Sequence, residues 1–185
     1  MTETGPVDGL ALRRALSRFA TGVTVITAVD PATAEPRGMT ANAFMSGSLV
    51  PPLILVSVKL SAHLHTALSD NSWFGVSVLP ESLEREARRF AGLPLEPQEP
   101  PPRLEWQGDV PVLERAIAWF TATIVNRHPT GDHTLFVGEV RDFAAPHPDA
   151  VPLIFHGSQF AHLDTRHEYR PLPSDPWGWA LDLWG

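Results

Sequence analysis

The 185-residue chain has no cysteine at all. That absence excludes a disulfide framework, a thiolate nucleophile and any cysteine metal site, and it suits a reducing cytoplasm without requiring one. Lysine is nearly missing too, Lys59 being the only one, and 14 Lys plus Arg face 21 Asp plus Glu for a formal net charge of −7. No concentrated basic face of the kind that phosphodiester backbones demand is visible, so nucleic acid is not an expected partner. Nor does any stretch approach the roughly 20 consecutive apolar residues of a membrane span, or the basic start and apolar run of a leader. The length suits one domain with a hydrophobic core of its own.

What is present reads as strands joined by short turns. Residues 8–20, DGLALRRALSRFA, put Leu12, Leu16, Phe19 and Ala20 at helical spacing behind Asp8 as N-cap. GVTVITAV alternates in the manner of a half-buried strand, and DPATAEPRG connects it to a second strand starting near Met39. Pro51 and Pro52 mark the entry to the apolar strand LILVSV, SAHLHTALSD predicts a short helix capped by Ser61, and WFGVSVL predicts another strand. PESLEREARRFAG predicts a helix with an apolar stripe of Leu83, Ala87 and Phe90, stopped by Gly92. Its Arg85, Arg88 and Arg89 form either a solvated face or an anion contact. After a Pro-rich loop at 93–103, residues 119–143 predict two long strands about the turn HPTG, with Phe120, Ala122 and Ile124 inward on one and Leu135, Val137 and Val140 on the other. PLIF and SQFAHL add two short strands. Six or more strands with no βαβ alternation predict a mainly β protein, an antiparallel barrel or sandwich with peripheral helices. No GxGxxG follows a strand and no GxxxxGK occurs, which removes the common nucleotide-binding routes.

Three stretches carry candidate chemistry. In RGMTANAFMSGSLV, residues 37–50, Thr40, Ala41, Asn42, Ala43 and Ser46 leave backbone amides uncovered; the stretch is either kept small for packing or open to a flat ring with a polar edge. In SAHLHT, Ser61 and Thr66 beside His63 or His65 suit either plain capping or a phosphate at a helix start, with a metal chelate the least favoured reading. In RHPTGDHT, His128 and His133 flank a turn and Asp132 stands beside His133, which suits positioning a substrate or closing a hydrogen bond better than holding a metal, for which no third ligand is evident. A serine-hydrolase elbow is absent.

FATGVTVIT, GMTANAF with SLVPPLILVSV, FGVSVL with ARRFAG, GDHTLFVGEV and PLIFHGSQF stand in this order between Phe19 and Leu163. In these motifs the chain resembles the short flavin reductases of two-component flavin-dependent monooxygenases. The resemblance implies an antiparallel Greek-key split β-barrel of the FMN-binding type over residues 8–165, a homodimer, and hydride transfer from NADH or NADPH to FMN, or to FAD. The reduced flavin would go to a partner monooxygenase in the cytoplasm. By motif, Thr40, Ala41, Asn42, Ala43 and Ser46 would line the flavin ring and ribityl chain. Leu60, Ser61, Ala62, His63 and Thr66 would surround the phosphate end, with Phe90, Ala91 and Gly92 beside them. His133, as the catalytic residue, would face the nicotinamide with Phe155, His156, Gly157 and Ser158. No metal is implied. Rival readings are a flavoprotein that keeps its FMN and acts on an organic substrate, and a non-catalytic flavin- or haem-binding module. The tail at 166–185, with Trp177, Trp179 and Trp184, lies beyond the resemblance and suits either a docking segment for a second subunit or oxygenase, or a locally packed terminus.

Overall fold

The computed structural model describes residues 7–94 and 100–164. The tryptophan-rich tail and part of the Pro-rich loop lie outside the described residues. In chain order the elements are α1 (Gly9–Leu16), β1 (Thr21–Gly22), β2 (Thr24–Val29), β3 (Pro36–Ala41), β4 (Phe44–Leu49), β5 (Pro52–Lys59), α2 (His63–Asp70), β6 (Trp73–Val78), a 3₁₀ turn (Glu81–Leu83) and α3 (Glu84–Phe90). They continue with β7 (Leu104–Gln107), β8 (Val110–Leu113), β9 (Ala118–Thr130), β10 (His133–Ala144), β11 (Ile154–His156) and β12 (Gln159–Ala161).

Seven strands form one antiparallel sheet in the order β3-β2-β6-β9-β10-β5-β4. Its two outermost strands, β3 and β4, are consecutive in the chain and are joined by the Asn42–Ala43 bend. The sheet therefore curls until its edges meet at that bend, with no ladder between β3 and β4: a split barrel. Inside it, Ile26, Val56, Val58, Phe74, Ala122 and Phe136 pack together, and Leu64 and Leu68 of α2 plug one end. Outside, Val23, Val25, Leu79, Leu83, Ala87, Leu113 and Leu153 make a second cluster under α3. β2 is buried on both faces because it separates the two clusters.

The β7–β8 hairpin, to which the sequence pattern gives no element, covers the outer face of β2 and β6. Its backbone takes up two buried hydroxyls: Thr27 donates to the Pro111 carbonyl, and the Leu113 amide donates to Ser77 Oγ at 2.9 Å. Each satisfies a polar group that burial would otherwise leave at a cost. Strands β11 and β12 stand apart from the barrel, forming a small sheet with β1.

Several local expectations need correction. Helix α1 has the predicted Asp8 cap, which accepts the Leu10 amide at 2.9 Å, yet its apolar side chains stay in solvent and it buries none of them. The cap of α2 is Ala62 rather than Ser61 and no side chain bonds to it, because the Lys59–Ala62 turn holds the chain until one residue later. The β9–β10 turn is Gly131–Asp132, not HPTG; Gly131 takes φ +60°, and His128 through Thr130 continue the β9 ladder. On β10 the core side carries Phe136, Gly138 and Val140 in unbroken alternation, so Leu135 and Val137 face the other way; the bulge opposite Val137/Gly138 lies on β9, where Val125 is the extra residue.

The β2–β3 connection is organised by Asp30, whose carboxylate accepts the Ala32 amide at 2.9 Å and Arg37 Nε at 3.1 Å. The Ala32 bond foremost, then Arg37, holds its carboxyl below the ordinary 3.8. A lowered carboxyl stabilises the fold fully above the unfolded value and loses that contribution as pH falls through the folded one. Asp30→Asn therefore lowers the melting temperature at neutral pH, and the difference from the parent shrinks below about pH 3.8. A deficit that persists undiminished in acid would refute that linkage.

Candidate functional site

At the end of β3 the chain turns through the Asn42–Ala43 bend, and here a pocket of about 440 Å³ opens between β3, the end of α3 and the β11–β12 hairpin. That volume falls within the range of small-molecule and cofactor sites. Thr40, Ala41, Asn42 and Ala91 line one side, Phe155, Ser158, Gln159 and Phe160 the other, with Arg13, Arg88, Val23 and Leu93 around the rim.

The pocket wall is held open by bonds that its residues make elsewhere. Thr40 Oγ1 donates to the Ala87 carbonyl at 2.6 Å and ties β3 to α3. Thr24 Oγ1 donates to the Ala41 carbonyl at 2.8 Å, and the Ala43 carbonyl accepts the Ser57 amide at 3.1 Å. Between them Asn42 is exposed, with its amide side chain free of protein partners among the described residues. Phe90 does not line the pocket: its ring lies over Gly38, where an added Cβ would stand 2.5 Å from the ring carbon Cε1. It fixes the distance between α3 and β3. Gly92, at φ +69°, lets the chain leave the helix in the left-handed conformation.

The opposite wall is the β11–β12 hairpin. Gly157 and Ser158 both take positive φ, the signature of a tight two-residue turn whose twist matches its strands. The rings of Phe155 and Phe160 meet edge to face at 5.8 Å, and Arg88 stacks 5.7 Å above the Phe160 ring. The Gly157 amide donates to the Ser17 carbonyl, anchoring the hairpin to the end of α1. His156 and Gly157 are not among the residues that line the pocket.

His133 lies apart from this lining, at the β9–β10 turn. Its Nδ1 is 2.7 Å from Asp132 Oδ1, and the Leu60 amide donates to the Asp132 carbonyl at 3.0 Å. The hydrogen bond with His133 holds the Asp132 carboxyl below the ordinary 3.8. An ionised carboxylate only accepts, so Nδ1 carries the proton and the Nε2 edge is left for another group. Leu60, Ser61, Ala62, His63 and Thr66 gather at this same end of the barrel, all but Ala62 exposed, while Ser46 pairs with Ile54 inside the β4–β5 ladder. His65 is structural, with Nε2 2.9 Å from Thr134 Oγ1 and its ring edge on Phe136. His128 stands exposed on β9 opposite Leu135. Among the described residues no group of three His, Asp or Glu side chains could hold a metal.

This donor set suits a flavin. Small residues at the bend admit a planar ring, amide and hydroxyl groups meet a polar edge, and two guanidinium groups with no acidic residue in the lining meet phosphate. Residues 16–164 match the flavin reductase like domain. The chain belongs to that family. It is 39% identical over 184 residues to an NADH-dependent flavin reductase of a Rhodococcus species, covering 96% of this chain and 99% of the relative. Among solved structures, the styrene monooxygenase flavin reductase of Pseudomonas putida superimposes with a TM-score of 0.74 at 34% identity, covering 88% of this chain and 98% of that one. The NADH:FAD oxidoreductase of Streptomyces globisporus, solved in complex with NAD and FAD fragments, gives 0.76 at 36% identity, with 88% and 98% covered.

Within this flavin reductase fold, the sequence motifs found Thr40, Ala41, Asn42, Ala91, Phe155 and Ser158, which converge on one pocket. They missed Arg13, Val23, Leu93, Gln159 and Phe160. The QF of GSQF was already inside a motif, so Gln159 and Phe160 had a usable signal. Arg13 had none beyond its place in a basic helix.

Proposed function

We propose that flavin lies with its ring against the Asn42–Ala43 bend and that the nicotinamide is brought over it between the β11–β12 hairpin and His133. The protein is an NAD(P)H-dependent flavin reductase that transfers hydride to FMN or FAD and supplies reduced flavin to a monooxygenase. The observation that carries this reading is the single pocket joining the small-residue bend to the Phe155–Phe160 hairpin, with two cations and no carboxylate in its lining.

Bound flavin supplies the hydride acceptor. The chain's own contribution is positional: the backbone at Asn42 and the side chains of Ser158 and Gln159 orient the partners, and the two phenylalanines exclude water from one side of the contact. His133, its Nδ1 proton held by Asp132, offers Nε2 to the nicotinamide and acts in positioning it rather than as a base. Leu49 and Val50 at the end of β4 and Phe143 on β10 are exposed apolar side chains, as are Leu10, Leu12 and Leu16 of α1, and this apolar surface supports self-association as a homodimer. No described helix is long and apolar enough to cross a membrane. We place the protein in the cytoplasm, with the reduced nicotinamide pool it consumes.

The test is reduced-nicotinamide oxidation by the purified protein with FMN, FAD or riboflavin added. Flavin-dependent turnover is expected, with His133→Ala raising the KM for NADH or lowering kcat. No turnover with any flavin overturns the reductase; His133→Ala with both constants unchanged overturns the role of that residue. Flavin that stays bound through gel filtration and is not turned over points instead to a flavoprotein with a resident cofactor. Sedimentation of the same sample reads the oligomeric state.

A further inference from the structure

We propose that Arg13 of α1 and Arg88 of α3 form the anion-recognition edge of the pocket and hold a phosphate or diphosphate carried by the nucleotide that enters it. The inference rests on the flavin reductase reading and adds to it a residue outside the matched domain, since the domain begins at residue 16 and Arg13 precedes it.

Four observations converge. Both arginines line the pocket and no acidic residue does, in a chain whose formal charge is −7. The pocket is thus a positive concavity on an acidic protein, which draws anions inward. Arg88 is already oriented: Glu84 Oε1 holds its Nε at 2.8 Å and the Phe160 ring lies beneath it, leaving both terminal nitrogens without a partner among the described residues. A guanidinium fixed at Nε and stacked on a ring presents its remaining fork to a planar or tetrahedral oxyanion with little further ordering.

Arg13 is the more telling of the two. Helix α1 buries none of its side chains, so packing against the barrel is not what selects its orientation. Its Asp8 cap and the Gly157–Ser17 bond nevertheless fix where it starts and where it stops beside the hairpin. The result is to turn one of its two basic residues, Arg13, toward the pocket, with no ion pair to a carboxylate among the described residues. Leu60 to Thr66, the segment that the motifs assign to a phosphate, lies at the His133 end and does not contribute to this lining. The pocket has its own anion site.

The source of the phosphate is either the flavin or the nicotinamide nucleotide, and kinetics on phosphate-free analogues separates them. In the full-length protein, KM is measured for FMN and riboflavin, and for NADH and an N-benzyl dihydronicotinamide, in the parent, Arg13→Gln and Arg13→Lys. Arg13→Gln raises KM roughly tenfold for at least one phosphate-bearing substrate, the scale of one partly exposed charge-assisted contact, and leaves its phosphate-free analogue unchanged. Arg13→Lys recovers part of the loss, and added salt raises the parent's KM for the same substrate. A selective effect on FMN places the flavin phosphate there, one on NADH places the dinucleotide, and one on both gives the edge to the two in turn. Equal effects on phosphate-bearing and phosphate-free substrates, or none, overturn the assignment of Arg13 while turnover by the parent leaves the reductase reading standing. Unchanged melting temperature in both variants is the control for folding.

Discussion

Asn42→Trp lowers kcat/KM for flavin on the order of 100-fold, about 2.7 kcal/mol of lost transition-state stabilisation. The reason is geometric. Asn42 is the bend residue at the mouth of the pocket, exposed and without a side-chain partner among the described residues, so the indole has no core to disturb and only the pocket to occupy. Ala91→Trp, at the end of α3 in the same lining, has the same effect by the same route. Because both sites are exposed, thermal unfolding of the two variants stays within a degree or two of the parent, on the scale of about 0.5 kcal/mol for surface changes. Turnover close to the parent's in both variants would show that flavin does not lie against the bend. A large drop in melting temperature would show that the loss was one of folding.

The largest loss of stability is expected from the smallest substitution, Gly138→Ala. Gly138 sits on β10 beside the bulge, and a Cβ there would stand 2.5 Å from Phe74 Cζ and 2.9 Å from the Ala122 Cβ. Phe74 is fully buried in the middle of the barrel and has no free volume into which to swing. The barrel must open locally, at about 3 kcal/mol, the upper end of ordinary overpacking penalties. For a chain of this size that corresponds to a fall of about 6–12 °C in melting temperature. Phe74→Leu in the same chain removes the ring that collides and restores part of the loss, a coupling that two independent sites would not show. If the two substitutions simply add, Phe74 is not the atom group that makes glycine necessary at this position.

Much of the barrel was legible because its strands alternate. β2, β5, β6, β9 and β10 announce themselves through β-branched and aromatic residues at period two, and Asp8, Gly92 and the Pro51–Pro52 pair punctuate them. What failed was register. The inward set of β10 runs through Phe136, Gly138 and Val140, but glycine has no side chain to show it, and the apolar Leu135 and Val137 on the opposite face read equally well as core. The β7–β8 hairpin escaped because its strands are four residues each and Pro111 interrupts one of them; the Gly108–Asp109 turn was the only sign. Half of the site was legible as motif, the bend and the hairpin. Arg88 was legible only as one of three arginines open to an anion, and Arg13 not at all, since spacing along a helix tells which side chains share a face but not which face looks into a cavity.

The two walls of the pocket belong to structures of different cooperativity. The bend joins the two outer strands of a seven-stranded sheet, in which β10 is bonded on both sides from His133 to Glu139 and β9 from Trp119 to Thr123. The hairpin belongs to a sheet of two- and three-residue strands that stands outside that barrel. Local opening costs least where ladders are short, so the hairpin exchanges its amide protons without waiting for the long ladders of β9 and β10 to open. A ligand that touches both walls adds its binding free energy to the closed form alone, about 2.7 kcal/mol at a hundredfold excess over Kd. The nucleotide then serves as the missing tertiary contact of the hairpin, and the energy that holds this wall shut is withdrawn each time the product departs.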